Sequence, residues 1–173
     1  MAPVPTILIR QARPEDVDTL ASFSAAMALE TEGRRLDIDR LRHGTLSLLN
    51  APAYGFFQVA ELQAGTSSRI LAQLMITYEW SDWRNGVFWW IQSVYVDPAW
   101  RRQGVFRRMH DTLLATAKSN PDVCGVRLYV EGANHIAQAA YRRVGLIPSS
   151  YAVYEKDFLF AHRKPLQDRP DEA

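Results

Sequence analysis

Four arginines crowd one glycine in VYVDPAWRRQGVFRRMH, residues 94 to 110: Arg101, Arg102, Arg107 and Arg108 flank Gly104. Val105, Phe106, Met109, Leu113 and Ala117 recur at three- and four-residue spacing, which predicts a helix opening near Val105. Arg107 and Arg108 then fall in its first turn, where the helix dipole is positive and acids are the ordinary occupants. The unpaired N–H groups of such a turn, with guanidiniums around them, suit an anion such as phosphate. An ordinary turn with a solvated basic face would use the same residue types.

Other candidates for chemistry are scattered. Tyr141 sits in NHIAQAAYRRVGL, where Ile136, Ala137, Ala140 and Val144 predict a helix and a core aromatic is the plain reading. Asn134 suits its N-cap and Gly145 its C-terminal cap. Glu30 and Glu32, in MALETEGRRLD, fall at a helix end and could hold a cationic amine or be idle solvated acids. Glu79, in TYEWSDWRNG, lies between Tyr78 and Trp80. Trp80, Trp83, Trp89 and Trp90 either wall a pocket or fill the core, and core is expected of at least half.

Composition narrows the partners. Twenty Lys plus Arg against nineteen Asp plus Glu leave a formal charge of +1, so the basic cluster is local and nucleic acid is not the expected partner. One cysteine, Cys124, excludes an intrachain disulfide, and four scattered histidines give no metal-ligand set. Neither a signal peptide nor a membrane-spanning run is evident, so a soluble cytoplasmic protein is expected. At 173 residues and 47% hydrophobic, the chain reads as one domain over 1–160 with a polar tail over 161–173.

The elements that must position these residues follow from periodicity and turn chemistry. ILIRQA (7–12) reads as a strand, and Pro14, Glu15 and Asp16 open a helix running to about Glu30. A second helix is expected over 39–49. YGFFQVAEL and RILAQLMITYEW read as strands joined by QAGTSS, and WSDWRNG turns the chain into VFWWIQSVYV. VRLYVE is expected as a strand after the arginine-rich helix, and PSSYAVYEKDF as a final one.

The stretch from Asp97 to Thr112 resembles the phosphate-binding motif of the GNAT superfamily of N-acetyltransferases: Arg or Gln, two residues, Gly, one residue, Gly or Ala. Here it reads Arg101, Arg102, Gln103, Gly104, Val105, Phe106, with Phe106 in place of the small residue. Asn134, Ala137, Tyr141 and Gly145 are similarly spaced to the family's later motif, and the likeness in element order runs over 6–158.

The resemblance implies an α/β (α+β) GNAT fold: a mixed, mostly antiparallel sheet flanked by helices, with splayed central strands. It implies acetyl-CoA as cofactor, its pyrophosphate on the amides of Gln103, Gly104, Val105, Phe106 and Arg107 beside Arg101 and Arg102. Its pantetheine would run along Val94, Tyr95 and Val96, with Asn134 and Ala137 nearby, and Tyr141 would protonate the departing thiolate. Many family members carry a glutamate base on the acetyl strand, yet Val87 to Val96 contains no acid. Glu79 is therefore the first candidate for base, with Glu30, Glu32 and Gln92 as further acceptor-binding candidates. The expected activity is transfer of acetyl to the primary amine of a polyamine-like or amino-acid-like small molecule, by direct attack in a ternary complex. Cys124 is away from both motifs, which gives no case for a covalent acetyl-cysteine. A non-catalytic acyl-CoA-binding module is the alternative, and a homodimer through the final strands is a family-level expectation.

Overall fold

A computed structural model of the chain describes residues 6–159. Among these residues five strands form one sheet in chain order: β1 (Thr6–Gln11), β2 (Gly55–Ala64), β3 (Ser67–Ser81), β4 (Gly86–Val96) and β5 (Val123–Arg127). The first four pair antiparallel, because hairpin turns join β2 to β3 and β3 to β4; β5 returns through a helix and pairs with β4 in parallel. Gly65, at φ 64°, supplies the left-handed residue that the tight β2–β3 turn requires.

Four helices flank the sheet: α1 (Val17–Glu32), α2 (Ile38–Leu49), α3 (Val105–Ser119) and α4 (His135–Arg143). α1 stops at Gly33 in the left-handed conformation, and Arg34 N–H donates to Ala28 O at 3.1 Å, a Schellman ending. α2 starts at Asp37, whose carboxylate accepts from the N–H of Asp39 and Arg40. The α3 stripe of Val105, Met109, Leu113 and Ala117 is buried against Ala60, Leu74, Ile76, Trp89 and Ile91. The opposite sheet face packs Phe57, Val59 and Ile70 against Leu20 of α1.

Two expected strands differ. β5 begins at Val123 and ends at Arg127, not over 126–131, because pairing stops at Trp90↔Arg127 where β4 turns away. Residues 148–158 form no strand: an extended segment becomes one only by backbone pairing, and Tyr151, Val153, Tyr154 and Phe158 stand exposed. The tail expected over 161–173 lies outside the described residues.

A buried ion cluster fixes the entry to α1. Arg10 on β1 donates to Asp16 at 2.7 Å and 3.0 Å and to Glu61 of β2 at 3.0 Å. The hydrogen bonds from Arg10 hold the Glu61 carboxyl down at about 2. Burial alone would raise Asp16, but the guanidinium and the Arg13 N–H outweigh it and its value falls. His110 of α3 is the opposite case: it is 1% exposed, neither ring nitrogen has a hydrogen-bond partner among the described residues, and burial lowers its pKa.

These groups make stability fall in two steps on acidification. The unfolded chain takes up His110's proton near 6.5 and the folded chain only at lower pH, so this contribution is complete above 6.5 and declines below it. Glu61's contribution is complete above 4.5 and is lost as pH falls toward about 2. We expect His110→Leu to flatten the first step in urea titrations at stepped pH and leave the second intact; an unchanged upper step would assign it to another group.

Candidate functional site

The loop from Asp97 to Gly104 ends in an open helix terminus. Asp97 accepts from Ala99 N–H and supports a single 3-10 turn over Pro98–Trp100. Arg102 (φ 62°) and Gly104 (φ 79°) then both take left-handed backbone, which aims the chain into α3. No side chain caps α3. The first helical bond runs from Arg108 N–H to Gly104 O, so the amides of Val105, Phe106 and Arg107 lack intrahelical acceptors. A Cβ built on Gly104 meets nothing within 4 Å, so open space lies beside these donors. The terminus thus offers what a pyrophosphate requires: convergent amides, positive dipole and room.

The four arginines divide. Arg101 donates from Nη2 to Glu30 at 2.7 Å and from Nε to Val96 O, and its guanidinium lies 5.3 Å from the Tyr95 ring centre. Arg102 is exposed beside Gly104. Arg107 reaches Arg143 O at 3.4 Å, and Arg108 turns away to donate to Ile7 O of β1. The last two stabilise neighbouring carbonyls as well as facing solvent, so the cluster is not a single anion claw. Gln103 donates to Ala99 O and rigidifies the loop.

The loop adjoins a gap between β4 and β5. Ser93 has φ 50° and the β3–β4 register slips there, so β4 bulges. Phe88, Trp90 and Gln92 occupy the α1 side before the bulge; Tyr95 occupies it afterwards, while Val94 and Val96 pack toward α3. Beyond Trp90 no strand among the described residues pairs with the β5 side of β4, leaving backbone groups near Val94 available to a bound amide chain.

α4 closes one side. Asn134 caps it by accepting from Ala137 N–H at 3.0 Å, so its side-chain oxygen is engaged. Tyr141 stands edge-on to Phe106 with ring centres 5.7 Å apart. Phe106, which departs from the family pattern, therefore bridges α3 to α4 where a small residue would leave a void. Burial raises the Tyr141 pKa, so the hydroxyl keeps its proton at neutral pH.

Two of the three expected acceptor-side acids, Glu30 and Glu79, are engaged by other side chains. Glu30 accepts from Tyr95 OH at 2.9 Å and from Arg101, joining the end of α1 to the loop. Burial and then Glu30 raise the Tyr95 pKa. Glu32 is exposed at the last position of α1. Glu79 accepts from the Trp90 indole and from Arg127 Nη1 at 3.0 Å and 3.2 Å. Gln92 donates to Thr77 Oγ1 at 2.5 Å and accepts from Tyr129 OH at 3.2 Å. Of the tryptophans, Trp89 is core, Trp90 is half-buried on this face, and Trp80 and Trp83 are exposed, so the core takes fewer than expected. Arg127 and Tyr129, both at the gap, were not singled out by sequence; their two-residue spacing in VRLYVE, which puts them on the face of Trp90, was the available signal.

Comparison with known proteins agrees with this geometry. Residues 20–146 match the model of the acetyltransferase (GNAT) family. A solved structure described as a possible acetyltransferase from Clostridium difficile 630 is 41% identical, with a TM-score of 0.80 over 89% of this chain and 99% of that one. A predicted acetyltransferase with acetyl-CoA from Clostridium acetobutylicum (17% identity, TM-score 0.69, covering 91% and 100%) shares the fold. So does glucosamine-6-phosphate N-acetyltransferase from Arabidopsis thaliana (19%, 0.63, 87% and 98%). No curated protein matches the sequence. With well over half its length inside the family model, this chain belongs to the acetyltransferase (GNAT) family of acetyl-CoA-dependent acyltransferases.

Proposed function

We propose that the protein transfers acetyl from acetyl-CoA to the primary amine of a small molecule, by direct attack in a ternary complex. The observation that carries this reading is the uncapped, glycine-opened start of α3 lying directly after a central strand that has lost its neighbour. Gln103 to Arg107, with Arg101 and Arg102 beside them, would hold the pyrophosphate, and the β4 edge at Val94 to Val96 the pantetheine amides, near Asn134 and Ala137. Bound acetyl-CoA supplies a thioester whose carbon–sulfur bond breaks as the acceptor nitrogen bonds to the acetyl carbon. An N–H of the bulged β4 backbone polarises the carbonyl. Tyr141 holds the proton that the departing sulfur requires and regains one from solvent.

Glu79 is held by Arg127 and Trp90, which leaves it a weaker claim to the base than a free carboxylate has. A water on Gln92 relays the amine's proton to bulk solvent in this reading, Glu79 and Glu32 acting only through solvent. The cytoplasm is the proposed location; among the described residues, no helix is long and apolar enough to cross a membrane. A homodimer is supported by the exposed apolar side chains of 148–159 and by β5 being an edge strand, and light scattering on the purified chain decides it.

Three outcomes are expected. Purified protein with acetyl-CoA releases free thiol when offered amines; background release across alkylamines, amino acids, polyamines and peptides alike would leave a binding module instead. Gly104→Asp weakens CoA binding in calorimetry at least about ten-fold, or ~1.4 kcal/mol, whereas Gly104→Asn, which tolerates left-handed backbone, loses less. Tyr141→Phe keeps CoA affinity and lowers kcat by about 10²-fold, and full turnover would return Tyr141 to a packing role.

A further inference from the structure

Arg127 is the last residue of β5 to pair with β4, so its side chain stands where the strand gap begins, on the sheet face opposite α3. Its guanidinium carbon lies 3.6 Å from the centre of the Phe88 ring. That stacking depends on Gly125, since a Cβ there would come within 2.6 Å of the same ring. A guanidinium stacked by its face keeps its in-plane donors for other partners. Only Nη1 is engaged, by Glu79; Nε and Nη2 have no partner among the described residues, and the side chain is 28% exposed. Glu79 is itself held by the Trp90 indole as well as by Arg127, so it serves to orient the guanidinium.

A second cation stands at the same ring. Arg84, in the turn between β3 and β4, places its guanidinium 5.0 Å from the Phe88 centre. Two guanidiniums thus share the Phe88 ring; Glu79 pairs with one of them, and Asp82, in the same turn as Arg84, accepts from the Trp83 N–H. Trp90 and Tyr129, with ring centres 5.9 Å apart, form an aromatic wall from there to Gln92.

Resting on the acetyltransferase reading above, we propose that Arg127, assisted by Arg84, is the specificity-determining residue for an acceptor amine that carries an oxyanion, either a carboxylate or a phosphate, at its far end. The unused Nε and Nη2 donors form the side-by-side pair that binds two oxygens of such a group. Three residue steps along the strand lead from Trp90, opposite Arg127, to the bulge at Ser93, a span of about 10 Å. An α-amino acid reacting at its own α-amine is too short for that span. An acceptor with several bonds between amine and oxyanion fits it, and a polyamine meets two guanidiniums where its second charge would lie.

The test is a kinetic ladder on the full chain: ω-aminocarboxylates and ω-aminoalkyl phosphates of increasing length, each beside the amide or alcohol of equal length and the matching diamine. The expected result is an optimum at intermediate length with kcat/KM for the anionic acceptor above its neutral partner by about ten-fold or more, as a charge-assisted pair provides. Comparison of the two series tells carboxylate from phosphate. Arg127→Gln should raise KM for anionic acceptors about ten-fold while kcat and CoA affinity hold, with partial rescue in Arg127→Lys. Equal kcat/KM for anionic and neutral amines, or preference for diamines, overturns the proposal while leaving acetyl transfer in place; no thiol release with any amine sinks the acetyl-transfer reading itself. Should Arg127→Gln fail to fold, the wild-type ladder and Arg84→Gln, with an expected smaller rise in KM, still decide.

Discussion

The structure turns on one constraint: a central strand has to lose its neighbour halfway along without leaving buried backbone groups unpaired. β4 meets it with a bulge. Ser93 takes left-handed backbone, an unfavourable state for a residue with a Cβ, and the surroundings hold it there. Gln73 of β3, fully buried, donates to Ser24 Oγ at 3.0 Å and to Ser93 O at 3.4 Å, so the carbonyl displaced by the bulge still has an amide to accept from. One extra residue also reverses the alternation of side chains along the strand. Without it Tyr95 would face α3, and the contacts that tie α1 to the loop before α3 could not form.

Those contacts run through Glu30. It takes the Tyr95 hydroxyl and the Arg101 guanidinium at once, while Phe23 of α1 packs on the Tyr95 ring at 5.0 Å. The Glu30–Arg101 pair is about 40% exposed at both ends, so its contribution to stability is small. Its effect is geometric. The helix expected to wall the acceptor side and the loop expected to hold phosphate share one hydrogen-bonded unit, and displacement of either is felt by the other.

Local signals made much of this legible in sequence. The α3 stripe, the caps at Asn134 and Gly145, the positive-φ turn at Gly65 and the glycine-opened helix start all depend on residues within a few positions of one another. What sequence reading missed depends on partners far apart. Glu79 reads as a candidate base at a strand end until Arg127, 48 residues on, is seen to hold it. Arg108 reads as part of an anion site until it is seen to serve a carbonyl of β1, 101 residues back. The apolar alternation of 148–158 reads as a strand, yet whether it pairs depends on which backbone edge it meets, and no local pattern encodes that.

The missing acid on β4 has a physical answer in the same contacts. An ammonium has to shed a proton before its nitrogen can attack, and a carboxylate beside it would bind it but also hold that proton more firmly. An acceptor with its own oxyanion carries this problem with it, because the negative end raises the pKa of the amine. Seating the oxyanion on a guanidinium offsets that field at its source, so the amine's proton is held less firmly than it would be beside an unpaired anion. With Arg127 so placed, the proposed water on Gln92 would need only to relay the proton to solvent. Glu79 meanwhile keeps Arg127 oriented from a position where its own charge is matched.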